Sequence, residues 1–313
     1  YSTLLGRTRL RPTSVIGRGL AKIGDIYEFQ TAIPTEKTTL NSFVTEKIQE
    51  LQKQYKLKAQ KIPVLPDKVT ISYCSEYNLG IQGIPLGVEK ESLQVRTLNI
   101  SRNFAHMITG LEFDNIRNFG LMFLKQLSES ISKNLYLFDT EKIYKELENN
   151  ITYYDSNITN NFKTLSENLL EMYKKYESNS YDSNSLKDYQ DIVCVIVGID
   201  KFKALLGTEF NSLFVELINK IKTMPKVNII IIDQIDNIKK MEFELWYKAI
   251  INPNRGIWIG DGIANQFTLK STVSTKVLSV KIDNSFGYFI DGGTTVLFKA
   301  ITEEGEKDIY EAL

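Results

Sequence analysis

The spacing of apolar residues along this chain changes period in a regular way. Ile16–Ile23 and Tyr27–Ile33 lie around Gly17, Gly19 and Gly24, and predict a β-hairpin that Pro34 ends. Val44, Ile48, Leu51 and Tyr55 then recur at steps of 4, 3 and 4, which predicts an amphipathic helix over 41–58 with Ser42 able to cap its start. Pro63 and Pro66 mark a linker. Beyond it the pattern predicts strands from Ile84-Pro85-Leu86-Gly87 onward, including Leu93–Ile100, then His106–Thr109 and Tyr136–Phe138. Ile192–Val197 and Val227–Ile232 are apolar without alternation, as central parallel strands are. Short strands are expected at Gly256–Ile259, Thr275–Lys281, Gly287–Ile290 and Thr295–Ile301. Helices are expected from about Phe113 to Ser130, Thr208 to Met224, and Lys239 to Ile250. The stretch 140–189 reads as polar and helical, with Phe162, Leu165, Leu169, Met172 and Tyr176 on one face and a loop over 178–188. Strands alternating with helices predict an α/β fold whose mostly parallel sheet is covered on both faces.

Composition narrows the function classes. The 313 residues suffice for one large domain or two small ones, and 42% apolar residues fit an ordinary core. Lysine plus arginine number 38 and aspartate plus glutamate 38, so net charge gives no argument for nucleic acid or an acidic membrane surface. No run approaches the ~20 apolar residues of a membrane span, and no signal peptide is visible. Cys74 and Cys194 suggest no disulfide framework, and Cys194 inside Ile192–Val197 reads as a small buried hydrophobe. His106 is the single histidine and reads as a packed or surface residue. The chain opens on Tyr1, which suggests a fragment of something longer.

The candidate chemistry sits after His106–Thr109. An apolar strand runs into Gly110, a loop and a helix, the layout of a phosphate-binding loop. The working pattern G-x-x-x-x-G-K-[ST] gathers backbone N–H groups, a lysine and a Mg²⁺-binding hydroxyl around the phosphates. Laid on Gly110, Leu111, Glu112, Phe113 and Asp114, it finds Asn115 for glycine, Ile116 for lysine and Arg117 for the hydroxyl. Glu112 and Asp114 add negative charge where a triphosphate would lie. Arg117 or Lys125 could partly replace the missing charge, but neither is in register. An ordinary strand-to-helix turn is the bland alternative.

One internal echo stands out. Gly19–Ile33 resembles Gly287–Ile301, with Phe29-Gln30-Thr31-Ala32-Ile33 against Phe298-Lys299-Ala300-Ile301. If the second ends a module, the first ends the module before it. The expected division is therefore 1–61, a tail hairpin plus connector helix, and 62–313, the main domain.

With Gly17-Arg18-Gly19 and Glu28-Phe29-Gln30, Ile84-Pro85-Leu86-Gly87, the loop after His106, Val193–Val197 with Gly198-Ile199-Asp200, and Trp246 ahead of Gly256-Ile257-Trp258-Ile259-Gly260, the chain resembles the FtsK/SpoIIIE-type motor ATPases. It looks most like the last ATPase module of EssC-type coupling proteins of type VII secretion. The resemblance implies a three-layer RecA-like P-loop fold, ATP and Mg²⁺ as ligands, neighbouring ATPase modules and hexameric assembly as partners, and a parent protein anchored at the cytoplasmic face of the cell membrane. It also implies a metal-holding acid at the end of Val193–Val197. Val197 and Gly198 stand there, and Asp200 comes late. No catalytic or metal-binding residue is therefore assigned, and ATP and Mg²⁺ are expected to bind weakly or not at all. The expected role is recognition of secreted substrates, through a short C-terminal signal, and regulation of the motor. The rivals are a working ATPase with an unusual site and a DNA translocase, the latter disfavoured by zero net charge.

Other features have plainer readings. Asp233 or Asp236 is expected to cap a helix. Phe162–Tyr176 is expected to bury on the domain's own sheet, and Trp246, Tyr247 and Trp258 in the core. Arg7, Arg9 and Arg11 read as a solvated tail.

Overall fold

The two apolar strands read from the sequence are buried on both faces, and their alternate residues go to opposite sides. Val193, Val195, Val197, Ile230 and Ile232 join one core, while Cys194, Ile196, Ile229 and Ile231 join the other. The computed structural model describes residues 5, 6, 10, 11, 14–32, 39–54, 64–75, 83–131 and 134–303. Arg7, Arg9, Ile33, Pro34, Tyr55, Ile62 and Pro63 lie outside the described residues.

The chain divides into two compact units, Tyr1–Ile62 and Pro63–Leu313. In the first, β1 (Arg18–Ile23) and β2 (Asp25–Gln30) pair antiparallel around Gly24, and α1 (Leu40–Gln54) follows. The second contains α2 (Ile71–Cys74), β3 (Ile84–Glu89), β4 (Val95–Leu98), β5 (Ala105–Gly110), α3 (Phe113–Ile131), β6 (Leu135–Asp139), β7 (Thr152–Tyr154) and α4 (Ile158–Ser178). Then come β8 (Ile192–Val197), α5 (Ile199–Leu206), a π-helical stretch Phe210–Val215 running into α6 (Glu216–Ile221), β9 (Val227–Ile232), α7 (Ile235–Lys239) and α8 (Leu245–Ile250). β10 (Gly256–Ile259), α9 (Thr275–Leu278), β11 (Phe286–Asp291) and β12 (Thr294–Ala300) close it.

The ten-stranded sheet runs β4-β3-β12-β11-β10-β5-β9-β8-β6-β7. The strands from β10 to β7 are parallel, and β11, β12, β3 and β4 extend the sheet as an antiparallel wing. On one face α3 buries Ile116, Phe119, Phe123 and Leu127. On the other, α4 lays down Phe162, Leu165, Leu169, Met172 and Tyr176. An aromatic chain binds that layer: Phe138 to Phe162 at 5.3 Å, Phe162 to Phe202 at 5.2 Å, and Phe214 to Trp246 at 5.1 Å between ring centroids. Trp246, Tyr247 and Trp258 are core residues. Cys74 and Cys194 are both buried and form no disulfide. Among the described residues no helix is long and apolar enough to cross a membrane.

The internal echo has a structural counterpart. β1–β2 sets Gly19 opposite Phe29, and β11–β12 sets Gly287 opposite Phe298. In each pair the phenylalanine ring covers the glycine, where a Cβ would come within 3.0 Å of it or less.

Four expected elements differ. Thr275–Lys281 is not a strand: Thr275–Leu278 forms α9, because β11 already pairs with both β10 and β12 and leaves no edge there. The stretch expected as a helix from Thr208 to Met224 is helical over most of its length but not uniformly α, with a 3-10 turn at Gly207–Glu209 and the π-helical Phe210–Val215 ahead of α6; α5, ended by Gly207 with its positive φ of 53°, is a separate helix not expected from the sequence. Of the helix expected over Lys239–Ile250 only Leu245–Ile250 forms, as α8; α7 ends at Lys239, and turns leading to the extended Glu244 separate the two. β7 falls within a stretch read as polar and helical: its residues are only half-buried on the sheet edge, so it lacks an apolar signature.

Candidate nucleotide site

The register aligns the strand ends along one edge of the parallel sheet. Gly110 pairs with Ile259, Ile108 with Ile232, Val197 with Ile232, and Asp139 with Val197. In open α/β sheets ligands bind outside this carboxyl edge.

β5 delivers Gly110 to that edge. A Cβ there would sit 2.4 Å from the Ile259 carbonyl oxygen, so close approach to β10 by itself demands glycine. Only Leu111 and Glu112 separate Gly110 from the first residue of α3, Phe113. The working pattern needs four residues between its glycines to wrap a phosphate. Here Asn115, Ile116 and Arg117 already lie on the helix, with the Ile116 N–H donating to the Glu112 carbonyl at 3.3 Å.

The side chains diverge from an anion site. Ile116 is 1% exposed and turns into the core beside Gly110. The position where lysine belongs therefore faces the sheet. Asn115 lies against Gly260 with its Nδ2 buried and without a partner. Arg117 is exposed, on the side of Tyr144. Glu112 and Asp114 are exposed too, Asp114 in the first turn of α3. Lys125 is engaged with Glu146 at 3.2 Å and Glu303 at 3.4 Å. The loop is also fastened: Gln234 Nε2 donates to the Leu111 carbonyl at 2.9 Å, and the Leu111 side chain lies on Gly262.

At the neighbouring strand end, Val197 is buried and its carbonyl accepts from Thr140 Oγ1 at 2.7 Å. Gly198 has φ of 75° and donates its N–H to Ile232 at 3.1 Å. A Cβ on Gly198 would lie 2.4 Å from Thr140 Oγ1, so no acidic side chain fits there without displacing Thr140. Asp200 sits in the first turn of α5 and pairs with Lys240 at 2.5 Å, on the outside of α7.

Two buried carboxylates lie on this edge. Asp233 follows β9, and its Oδ2 accepts the Ile199 N–H at 2.8 Å. Its Oδ1 accepts the Gln234 N–H at 2.7 Å and Asn237 Nδ2 at 2.9 Å. The expected capping role thus falls to Asp233, which ties the starts of α5 and α7 together, while Asp236 is exposed and pairs with Lys239. Burial raises the Asp233 carboxyl above its ordinary value. Asp139, which sequence reasoning missed, closes β6 with Oδ2 accepting the Tyr144 N–H at 2.7 Å and the Tyr153 hydroxyl at 3.0 Å. Its Oδ1 is buried without a partner, and burial raises its pKa. The acid closing Leu135–Phe138 was the available signal. β9 and β8 stand between it and β5, so three strand spacings, about 14 Å, separate it from the loop.

Among the described residues of this turn the carboxylates are Glu112 and Asp114, both exposed, while the pattern's lysine and hydroxyl positions hold Ile116 and Arg117. Among the described residues no three His, Cys, Asp or Glu side chains cluster at metal-binding distance.

The order of parallel strands, the helix layers on both faces and the loop-to-helix crossing at β5 are those of a RecA-like P-loop fold. No family model matches the chain, and a comparison with curated proteins found no match. Solved structures do resemble it. The cytoplasmic domain of EssC superposes with a TM-score of 0.63 at 16% identity, covering 96% of this chain and 61% of that one. EssC ATPases 2 and 3 from Geobacillus thermodenitrificans give 0.64 at 16% identity, covering 97% and 58%. Thermomonospora curvata EccC ATPases 2 and 3, solved with a signal sequence peptide, give 0.53 at 17% identity, covering 94% and 54%. The chain thus spans about three-fifths of the length of the EssC structures it matches.

Proposed function

We propose that this chain is an ATPase-fold module of a type VII secretion coupling protein, no longer built for hydrolysis, that recognises secreted substrates and regulates neighbouring ATPase modules. One observation carries the loss of hydrolysis: the loop is too short to wrap a phosphate, and the position of its lysine is a buried isoleucine. Losing a charged contact to phosphate costs about 1.5–3 kcal/mol, a 10- to 100-fold loss of affinity. With arginine in place of the pattern's hydroxyl and Val197 and Gly198 in place of its acid, the expected Mg²⁺ ligands are missing, and phosphoryl transfer depends on lysine and metal together. ATP and Mg²⁺ therefore bind weakly or not at all in this reading. Asp200, paired to Lys240, is no substitute acid.

Substrate recognition draws support from an apolar groove. A cavity of about 650 Å³ lies between α9 and the β11–β12 hairpin, lined by Val277, Leu278, Val280, Ile282, Phe286 and Leu297 with Lys90 and Lys281 also in its lining. Val277 and Val280 are more than half exposed. Such a groove suits the apolar anchors of a short signal segment, and an EccC pair of ATPases has been solved with a signal sequence peptide. In the assembled machine the partners would be substrate proteins with C-terminal signal segments and adjacent ATPase modules, in a hexamer at the cytoplasmic face of the membrane. The fragment itself would not touch the membrane. Calorimetric titration with a substrate signal peptide tests the reading: saturable heat that Val277→Asp abolishes supports it, and no heat at millimolar peptide rejects it. Phosphate release abolished by Asp200→Ala would instead favour an active ATPase.

A further inference from the structure

At the opposite edge of the sheet, where β5 and β10 begin, the antiparallel wing folds over the parallel strands. Arg96 of β4 holds its guanidinium 5.3 Å from the Phe289 ring of β11, although β3 and β12 separate those strands in the sheet. Arg96 and Phe289 line a cavity of about 220 Å³ together with residues from the starts of β5 and β10. Three guanidiniums line it, Arg96, Arg102 and Arg255, with a single carboxylate, Asp291.

That carboxylate is divided between two partners. Asp291 Oδ2 accepts from Arg102 Nη1 at 2.9 Å, and Oδ1 forms an ion pair with Arg255 Nε at 3.1 Å. Arg96 pairs with Glu89, which stands outside the cavity. The three arginines against these two carboxylates leave one positive charge. The Arg96 Nε–H is buried and has no acceptor. A buried unpaired donor is unfavourable until an acceptor reaches it. Both the excess charge and the orphan donor call for an anion.

The wall around them is fixed in place. Asn228 Nδ2 holds the Ile100 and Asn103 carbonyls at 3.0 and 2.9 Å, and His106 Nε2 donates to the Ile100 carbonyl at 2.8 Å. Arg255 also donates to the Asn103 side chain. Ile257 and Phe289, on the same side of the sheet, supply an apolar surface. The volume falls below the ~300–1,000 Å³ of sites for drug-sized ligands, so a fragment-sized molecule fits.

We propose that this cavity binds a small organic acid, its carboxylate on the arginines and its apolar body against Phe289 and Ile257. One carboxylate balances the excess charge, and a planar fork is what guanidiniums match best. Inorganic phosphate carries more charge than the site leaves open and has no apolar part.

Benzoate is the probe, titrated into the whole chain while ¹⁵N–¹H spectra follow the arginine Nε–Hε resonances. The expected result is a saturable shift of Arg96 Nε–Hε, with no saturable shift from benzamide, which has the same shape without the charge. Arg102→Gln and Arg255→Gln are each expected to weaken benzoate roughly 10- to 100-fold. Should Arg255→Gln fail to fold, Arg102→Gln carries the test, since that side chain is 61% exposed. Absence of saturation by benzoate, equal binding of benzamide, or tighter binding of inorganic phosphate overturns the proposal. Binding of a capped peptide bearing one glutamate, without binding of benzoate, overturns it in favour of a protein ligand.

Discussion

Replacing Ile116 by lysine restores one letter of the phosphate-loop pattern, and the structure says that it will not restore the site. The side chain is 1% exposed, in the first turns of α3, in a core shared with Ile108, Phe119, Ile257 and Ile259. An ammonium there must be neutralised or must drag the helix start outward. From a reference value near 10.4, deprotonation at pH 7 costs about 3.4 units at 1.36 kcal/mol each, roughly 4.6 kcal/mol. That is roughly 30–90% of the ~5–15 kcal/mol by which a domain is stable. Escape by stretching the side chain to water would lower the figure and would unwind the first turn of α3. Ile116→Leu, which keeps the volume, is expected to cost less than about 1.5 kcal/mol. Urea unfolding of the three proteins measures the differences, and calorimetry with ATP–Mg²⁺ measures the gain, expected to be nil. A lysine variant that keeps wild-type stability and binds ATP 10-fold or more tightly would show that position 116 faces a nucleotide, and would refute the argument from burial.

Four further outcomes are expected. Asp233→Ala strips acceptors from the Ile199 and Gln234 N–H groups and from Asn237; at 1–3 kcal/mol per unsatisfied buried group it should cost roughly 3 kcal/mol in urea unfolding. Gly198→Asp, which would put a carboxylate at the end of β8, should cost about 1–3 kcal/mol from its left-handed backbone alone and give no Mg²⁺ binding by calorimetry. Asp139 has a raised pKa, so the native state holds its proton more tightly than the unfolded chain; its stabilising effect is complete below the unfolded value near 3.8 and is lost as pH rises through the folded value. Asp139→Asn should therefore raise the melting temperature at pH 7 relative to wild type, with the advantage gone below about pH 3.8. His106 is shifted the other way, chiefly by burial, so it stays neutral in the fold and its contribution to stability declines as pH falls from about 6.5 through its lowered folded value. As the single histidine it gives one Cε1–H resonance, whose titration midpoint should lie below 6.5.

Much of the fold was legible because burial on both faces writes itself as unbroken apolar strands. Ile192–Val197 and Val227–Ile232 could be placed to the residue, and the stripe from Phe162 to Tyr176 named the face of α4 that packs. Where burial was partial the signal failed. Thr275–Lys281 has the composition of a strand, but strand pairing needs a free edge, which depends on distant β10 and β12. Glycine carried two meanings that spacing could not separate. Gly110 fits the start of a degenerate phosphate loop as well as an ordinary strand-to-helix turn, and its close approach to β10 demands glycine in either case, with Ile259, 149 residues on (259 − 110), opposite it.

The sequence by itself determined the α/β layering and the chemical deficit at residues 110–117, because periodicity and side-chain identity are local properties. Only the tertiary structure decided where those side chains point. It turned Ile116 into the core, shortened the loop to Leu111 and Glu112, and committed Asp233 to three N–H donors. It also curled the wing so that Arg96, Arg102 and Arg255 meet around one cavity, though Arg255 lies far from the other two in the chain. Long-range pairing brings such residues together, and no local period encodes it.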